Sequence, residues 1–87
     1  MKILLHKKFD KKFKKLNEGE KRKFIERRNL FLKNQFDSIL NNHSLHGPLK
    51  GFRSINITGD LRAVFQEIGK DVFLFVKIDT HNNLYSE

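Results

Sequence analysis

The apolar residues of this chain change period near residue 51, and that change restricts the fold more than any other feature. Before Gly51 they recur at helical spacing; after it they alternate. Phe9, Phe13 and Leu16 fall on one face of residues 7–16, at spacings of four and three, and lysines fill the rest. That predicts an amphipathic helix of about three turns. Asn17 can cap the next helix, with Glu20 placed to bond back to the cap. The second helix is expected from about Glu18 to Leu40, with Phe24, Ile25, Phe31, Leu32, Phe36, Ile39 and Leu40 as its apolar stripe. Asn34 to Asp37 is where it would shorten or bend. Neither helix can bury its stripe alone, so an antiparallel helical hairpin needs a sheet to pack on.

Asn41 to Gly51 reads as a loop, with a turn at Gly47-Pro48. Two alternating segments follow, Phe52 to Ile57 and Leu61 to Gln66, joined by Thr58-Gly59-Asp60. Arg53, Ile55 and Ile57 face one way; Phe52, Ser54 and Asn56 face the other. Val72 to Ile78 is almost continuously apolar, as expected of a central strand covered on both faces. Residues 2–5 read as a short strand ended by His6, a residue expected to be structural or exposed, and this strand should pair with Val72 to Ile78. The expected fold class is α+β: an N-terminal strand, a helical hairpin, then a three-stranded antiparallel meander, all in one domain spanning 1–87. Phe9, Phe13, Phe24, Phe31, Ile55, Val64, Leu74 and Val76 should be mostly buried.

The formal net charge is +8, and it is unevenly placed. Residues 1–42 hold 13 Lys plus Arg against 5 Asp plus Glu; residues 43–87 hold 5 against 5. The basic half suits a polyanion or an acidic protein. There is no cysteine, which excludes disulfides and thiolate metal sites. No stretch has the length of a membrane-spanning helix, and the amino terminus lacks the pattern of a signal peptide. The cytoplasm is the expected compartment, with no membrane partner.

The candidate chemistry lies after residue 42. His43, His46 and His81 can change protonation near neutral pH. Their spacing does not match a metal motif, and neither a nucleophile elbow nor a Gly-rich phosphate loop is present. No metal or other cofactor is expected. RNA cleavage by a ribose 2′-hydroxyl needs a base, an acid for the leaving 5′-oxygen, and positive charge on the phosphate. Histidines and an arginine supply all three. Phe52 or Tyr85 offers a face on which a base can stack.

The run LHGPLKGFRSINITGDLRAVF, followed by a strand and then THNNLY, resembles the RelE superfamily of bacterial toxin–antitoxin toxins, and within it the YafQ-like branch. The resemblance covers nearly the whole chain. It implies a RelE/ParE-like fold and an mRNA interferase that cuts messenger RNA in the ribosomal A site. The implied partners are the ribosome, its mRNA and a cognate antitoxin. Residue by residue, His43 in NNHSLHG matches the histidine before an L-x-G motif, Asp60 in TGD the acidic residue at the hairpin turn, and His81 in DTH the histidine assigned acid–base duty. Arg62 matches an arginine that holds the scissile phosphate, and Tyr85 an aromatic near the C-terminus. Arg53, in GFR, matches the arginine of a GYR-type motif, with a structural role within the sheet as its alternative. Lys11, Lys12, Lys15, Lys50, Phe52, Arg53, Asn56 and Tyr85 complete the expected RNA-binding set, with His46 as a secondary candidate. The chain departs from the pattern twice. Asn56 stands where the YafQ-like pattern has a histidine, and Asn56 cannot titrate. Leu61 stands where that pattern has a tryptophan. Acid–base work is then expected of His43, His81 and Asp60, with His81 as acid and either Asp60 or His43 as base. The competing functions are a ParE-type toxin that inhibits DNA gyrase without nuclease activity, and an inactive binding module on the same fold.

Overall fold

The first strand, β1 (Lys2–Leu5), hands the chain directly to a helix. His6 is that helix's cap: its backbone is extended and its Nδ1 accepts the Lys8 N–H at 3.0 Å. The helix α1 covers Lys7–Lys14 and turns Phe9 into the core, with Phe13 half-buried beside it. Asn17 then caps α2 (Glu18–Lys33) with the full reciprocal pair. Its side chain accepts the Glu20 N–H at 2.8 Å, and the Glu20 carboxylate accepts the Asn17 N–H at 3.2 Å. The computed structural model describes residues 1–85, and among these no helix is long and apolar enough to cross a membrane.

The expectation that α2 runs to Leu40 is corrected: it stops at Lys33. Asn34 leaves the helical region, at φ −160° and ψ 100°, and its side chain accepts the Phe36 N–H at 3.1 Å. Asp37 then caps a separate 3-10 turn, Ser38–Leu40, by accepting the Ile39 N–H at 3.0 Å. These short side chains offer the backbone local partners that compete with the helix. The break changes the stripe. Phe24, Phe31 and Leu40 are buried, while Ile25, Leu32, Phe36 and Ile39 remain exposed. The Arg53 guanidinium lies 5.7 Å from the centre of the Phe36 ring.

The remaining strands are β2 (His43–Ser44), β3 (Arg53–Asn56), β4 (Leu61–Gly69) and β5 (Val72–Thr80), and a short helix α3 (His81–Tyr85) follows. The sheet order is β1-β5-β4-β3-β2. β3, β4 and β5 form the expected antiparallel meander, and β1 pairs with β5 as expected, in parallel. A parallel pair needs a long crossover, which the helical hairpin and the rest of the sheet provide. The sheet has a strand more than expected. β2 lies inside the segment read as a loop and pairs His43 with Ser54 and Ser44 with Arg53. Two residues are too few for alternation to be visible in a sequence.

β5 is also not covered on both faces. The register pairs Val64 with Lys77 but Phe65 with Phe75, so Val76 is an extra, bulged residue. The bulge resets the alternation, and Phe73, Phe75 and Ile78 all reach the helix-covered face. Leu74 and Val76 are half-buried, as is Phe13. The other residues expected inside, Phe9, Phe24, Phe31, Ile55 and Val64, are buried. Under the helices the core is mostly aromatic. Phe31 meets Phe65, Phe73 and Phe75 edge-on with ring centres 5.1 to 5.6 Å apart, and Phe9 and Phe24 close the α1 end.

Candidate functional site

The register of the sheet builds a polar row on the face opposite the helices. His43 pairs with Ser54, Ser54 with Val64, and Val64 with Lys77. Directly opposed residues share a face, so these side chains stand side by side across four strands. A second row, Asn56, Arg62 and Asp79, runs next to it across β3, β4 and β5. The helix α3 lies over this face. Asp79 fastens it: its Oδ1 accepts the Thr80 N–H at 2.8 Å and the Asn83 Nδ2–H at 2.9 Å. Its Oδ2 lies 3.5 Å from the Lys12 ammonium on α1. Burial pushes the Asp79 carboxyl up, but the hydrogen bonds from Asn83 and Thr80 and the Lys12 charge outweigh it. The net result is a value below the ordinary 3.8.

The start of α3 is pinned a second time, by the hairpin turn. The His81 N–H donates to the Asp60 carbonyl at 2.9 Å. Asp60 therefore reaches His81 through its main chain, while its exposed side chain forms no bond to the imidazole. The turn itself is organised by Thr58, whose Oγ1 accepts the N–H groups of Asp60 and Leu61. Arg62 folds back on it: one guanidinium nitrogen donates to the carbonyls of Thr58, Gly59 and Leu61 at 3.1 to 3.3 Å. Beside it in the row, the Asn56 Oδ1 is buried and has no partner among the described residues.

His43 and His81 come together. With Ser44, Leu45, His46 and Tyr85 they line one open depression of about 300 Å³. The His81 and Tyr85 rings meet edge-on with centres 4.7 Å apart. His43 Nδ1 donates to the Asn41 carbonyl at 2.8 Å. Asn41 sits in the left-handed region at φ 47°, a conformation that asparagine tolerates better than most residues. The adjoining depression is lined by His46, Pro48, Leu49, Lys77, Leu84 and Tyr85. A third continues from Lys77 and Leu84 to Lys8 and Lys12 of α1. The three share residues and form one surface from the α1 lysines to the two histidines.

Other expected site residues are dispersed. Lys11 is exposed on α1, as is Lys12, which is tied to Asp79, and Lys15 is exposed just after the helix. Lys50 is exposed after the 3-10 turn Gly47–Leu49, and Phe52 is half-buried beside it. The Arg53 Nε donates to Asn42 Oδ1 at 2.7 Å, a bond within the scaffold. Sequence reasoning missed Ser54 and Lys77. Ser54 is fully buried, yet its hydroxyl stands 3.4 Å from both His43 Nε2 and the Tyr85 oxygen. Only the two-residue β2 and its register place Ser54 opposite a histidine. Lys77 reads as an interruption of an apolar strand until the bulge turns it onto this face. Among the described residues, no three histidine, aspartate or glutamate side chains are grouped to hold a metal ion.

No family model matches the sequence, and no curated protein matches it either. Solved structures do match. YafQ from E. coli superposes with a TM-score of 0.74 at 20% identity, covering 97% of this chain and 97% of that one. A YoeB/ParE toxin from Agrobacterium tumefaciens gives 0.77 at 16% identity, over 93% of this chain and 99% of that one. The RelE–RelB complex from Pyrococcus horikoshii gives 0.72 at 21% identity, over 91% and 92%. At such identities the likeness is one of architecture: this chain has the α+β fold of the YafQ-, RelE- and YoeB/ParE-type toxins.

Proposed function

We propose that this chain is an endoribonuclease toxin that cuts messenger RNA on the ribosome, in the A site, and is silenced by a cognate antitoxin. One observation carries the reading: His43, from the start of the sheet-edge strand, and His81, from the end of β5, line the same depression. A pair of imidazoles is what in-line attack by a ribose 2′-hydroxyl needs, one as base and one as acid. His81, held at its main chain by the hairpin turn, is the acid that protonates the leaving 5′-oxygen. His43, with Nδ1 committed to the Asn41 carbonyl, keeps Nε2 for the base. Lys8 and Lys12 of α1 and Lys77 give the strand a basic path to the site, and Arg62, folded onto the hairpin turn that anchors His81, is the cation assigned to the phosphate. These groups perform the reaction by acid–base and electrostatic means, without a metal. The setting is the cytoplasm, where translated message is found. The net charge of +8 suits an acidic antitoxin, and YafQ and RelE have each been solved as toxin–antitoxin complexes, with DinJ and RelB.

The likeness to a YoeB/ParE toxin supports a second reading, inhibition of DNA gyrase without cleavage. Two assays on the same purified protein separate them. The nuclease reading expects cleavage of ribosome-bound message and no effect on gyrase supercoiling. Intact message with inhibited supercoiling would overturn it.

A further inference from the structure

We infer that Ser54 is a proton-relay residue that couples His43 to the Tyr85 hydroxyl, so that Tyr85 is the group that meets the ribose 2′-hydroxyl. The inference rests on the nuclease reading and deepens it. It begins with a fully buried serine on a strand whose neighbours are aliphatic or paired. A buried hydroxyl without partners is destabilising, so its partners are informative. Among the described residues, the side-chain partners of Ser54 Oγ are His43 Nε2 and the Tyr85 hydroxyl, each at 3.4 Å.

The directions of these bonds follow from the end of the chain. The Asn41 carbonyl can only accept, so His43 Nδ1 carries the proton. In the neutral ring Nε2 then has a free lone pair and accepts the Ser54 O–H. Ser54 Oγ in turn accepts the Tyr85 O–H. All the donors point one way, from the depression to the Asn41 carbonyl. His43 and Tyr85 are both exposed and line the depression, but His43 Nε2 is directed at the buried Ser54 hydroxyl. The lone pair that can take a proton is turned to Ser54, and the Tyr85 hydroxyl is the far end of the same chain of bonds. Ser54 connects them, and the direct His43–Ser54 strand pair fixes its position.

The step balances. The 2′-hydroxyl gives its proton to the Tyr85 oxygen as its own oxygen bonds to phosphorus. Tyr85 passes its proton to Ser54 Oγ, and Ser54 passes its proton to His43 Nε2. The bond from phosphorus to the 5′-oxygen breaks, and that oxygen takes a proton from His81 in its imidazolium form. The products are a 2′,3′-cyclic phosphate and a 5′-hydroxyl end. His43 finishes protonated and His81 neutral, while Ser54 and Tyr85 are regenerated. The Tyr85–Ser54 contact must close by about 0.6 Å to reach the usual O–H···O range, and the Ser54–His43 O–H···N contact must shorten too, a tightening expected when substrate fills a site.

Two measurements test this. In the first, single-turnover cleavage of ribosome-bound message is compared for wild type, Ser54→Ala, Tyr85→Phe, His43→Gln and the double variant Tyr85→Phe/His43→Gln. Tyr85→Phe removes one oxygen from a partly exposed ring and leaves the fold intact. Each single change should slow cleavage by about 10²-fold, and the double change by no more than the larger single loss. Tyr85→Phe within about threefold of wild type, or losses that multiply in the double variant, would overturn the relay. The second measurement needs no activity: ¹⁵N NMR of the neutral His43 ring. The relay requires the proton on Nδ1, and an Nε2 resonance that moves in Ser54→Ala. A proton on Nε2, or an unmoved resonance, overturns the relay and leaves the nuclease reading standing. A wild-type chain that cuts no message overturns the nuclease reading, and the catalytic use of Ser54 with it.

Discussion

The two faces of the sheet use their residues in opposite ways. On the helix side, β3, β4 and β5 contribute Ile55, Ala63, Phe65, Phe73, Phe75 and Ile78 to one dry cluster closed by Phe9, Phe24 and Phe31. On the other side, the same strands contribute Ser54, Asn56, Arg62, Lys77 and Asp79, covered among the described residues by a five-residue helix and a loop. One face holds the fold by area removed from water; the other is held open and polar by a few directed bonds. Stability and chemistry are therefore expected to separate by face, and substitutions can test that separation.

The largest effect should come from the dry face. Phe31 is fully buried and touches the rings of Phe65, Phe73 and Phe75. Phe31→Ala should cost about 3 to 5 kcal/mol, much of the margin of a small domain. Urea unfolding reads this directly. The surviving folded fraction should keep its cleavage rate per folded molecule. A loss below about 1 kcal/mol would mean that the aromatic cluster is not what holds the sheet to the helices.

The next effect should come from the open face and leave stability alone. His81 is exposed, and its anchor to Asp60 is a main-chain bond that any side chain preserves. His81→Ala should slow single-turnover cleavage by about 10²- to 10⁴-fold. Its unfolding midpoint should stay near wild type, as for most surface changes. Cleavage within about threefold of wild type would make His81 a packing partner for Tyr85 and nothing more.

The same contrast explains what could be read from the sequence. The helix-side features are local. Phe9, Phe13 and Leu16 show their period within one helix, and Asn17 and Glu20 make a cap within four residues. The end of α2 was less legible, because Asn34 and Asp37 stop a helix only by winning a competition that the apolar pattern of Phe36, Ile39 and Leu40 does not show. Non-local facts were hidden. An apolar run with a bulge at Val76 looks the same as one covered on both faces. β2 is too short to announce itself, and without it nothing sets Ser54 opposite His43. Arg62 and Asp60 could be named from their motif as candidates only. That Arg62 bonds the turn carbonyls, and that Asp60 meets His81 through its backbone, follows only from the folded turn.

A smaller effect tests whether the basic helix belongs to the open face. Lys11 on α1 and Lys15 at its C-terminal cap are exposed and take part in no ion pair among the described residues. Lys11→Glu/Lys15→Glu should weaken ribosome binding and flatten its salt dependence, by about 0.7 in the log–log slope for each single-strand phosphate no longer neutralised. The cleavage rate of bound message should change little. Adding Lys12→Glu removes a further cation and also the ion pair that ties Asp79 to α1, so the triple variant should loosen that tie as well. Equal affinity across a salt series would remove the lysines from the docking surface.

The smallest effect concerns Asp79, where the two faces meet. Its carboxylate ties α3 to β5 through Asn83 and Thr80 and ties both to α1 through Lys12. The folded carboxyl lies below its ordinary 3.8, so the folded state binds this proton less readily than the unfolded chain does. Its contribution is therefore fully present above about pH 4 and is lost as pH falls through the lower folded value. Both groups of the ion pair are partly solvated, which limits the effect to about 0.2 to 1 kcal/mol. Tyr85, on α3, is the single tyrosine in a chain without tryptophan, so intrinsic fluorescence reports on α3 alone. In wild type that signal should show a step below pH 4, well under the range where an imidazole titrates. Asp79→Asn should remove this step and leave the far-ultraviolet circular dichroism of α1 and α2 unchanged. An identical acid step in Asp79→Asn would show that α3 is held by Leu84 and Tyr85 packing on the open face, and that the carboxylate is incidental.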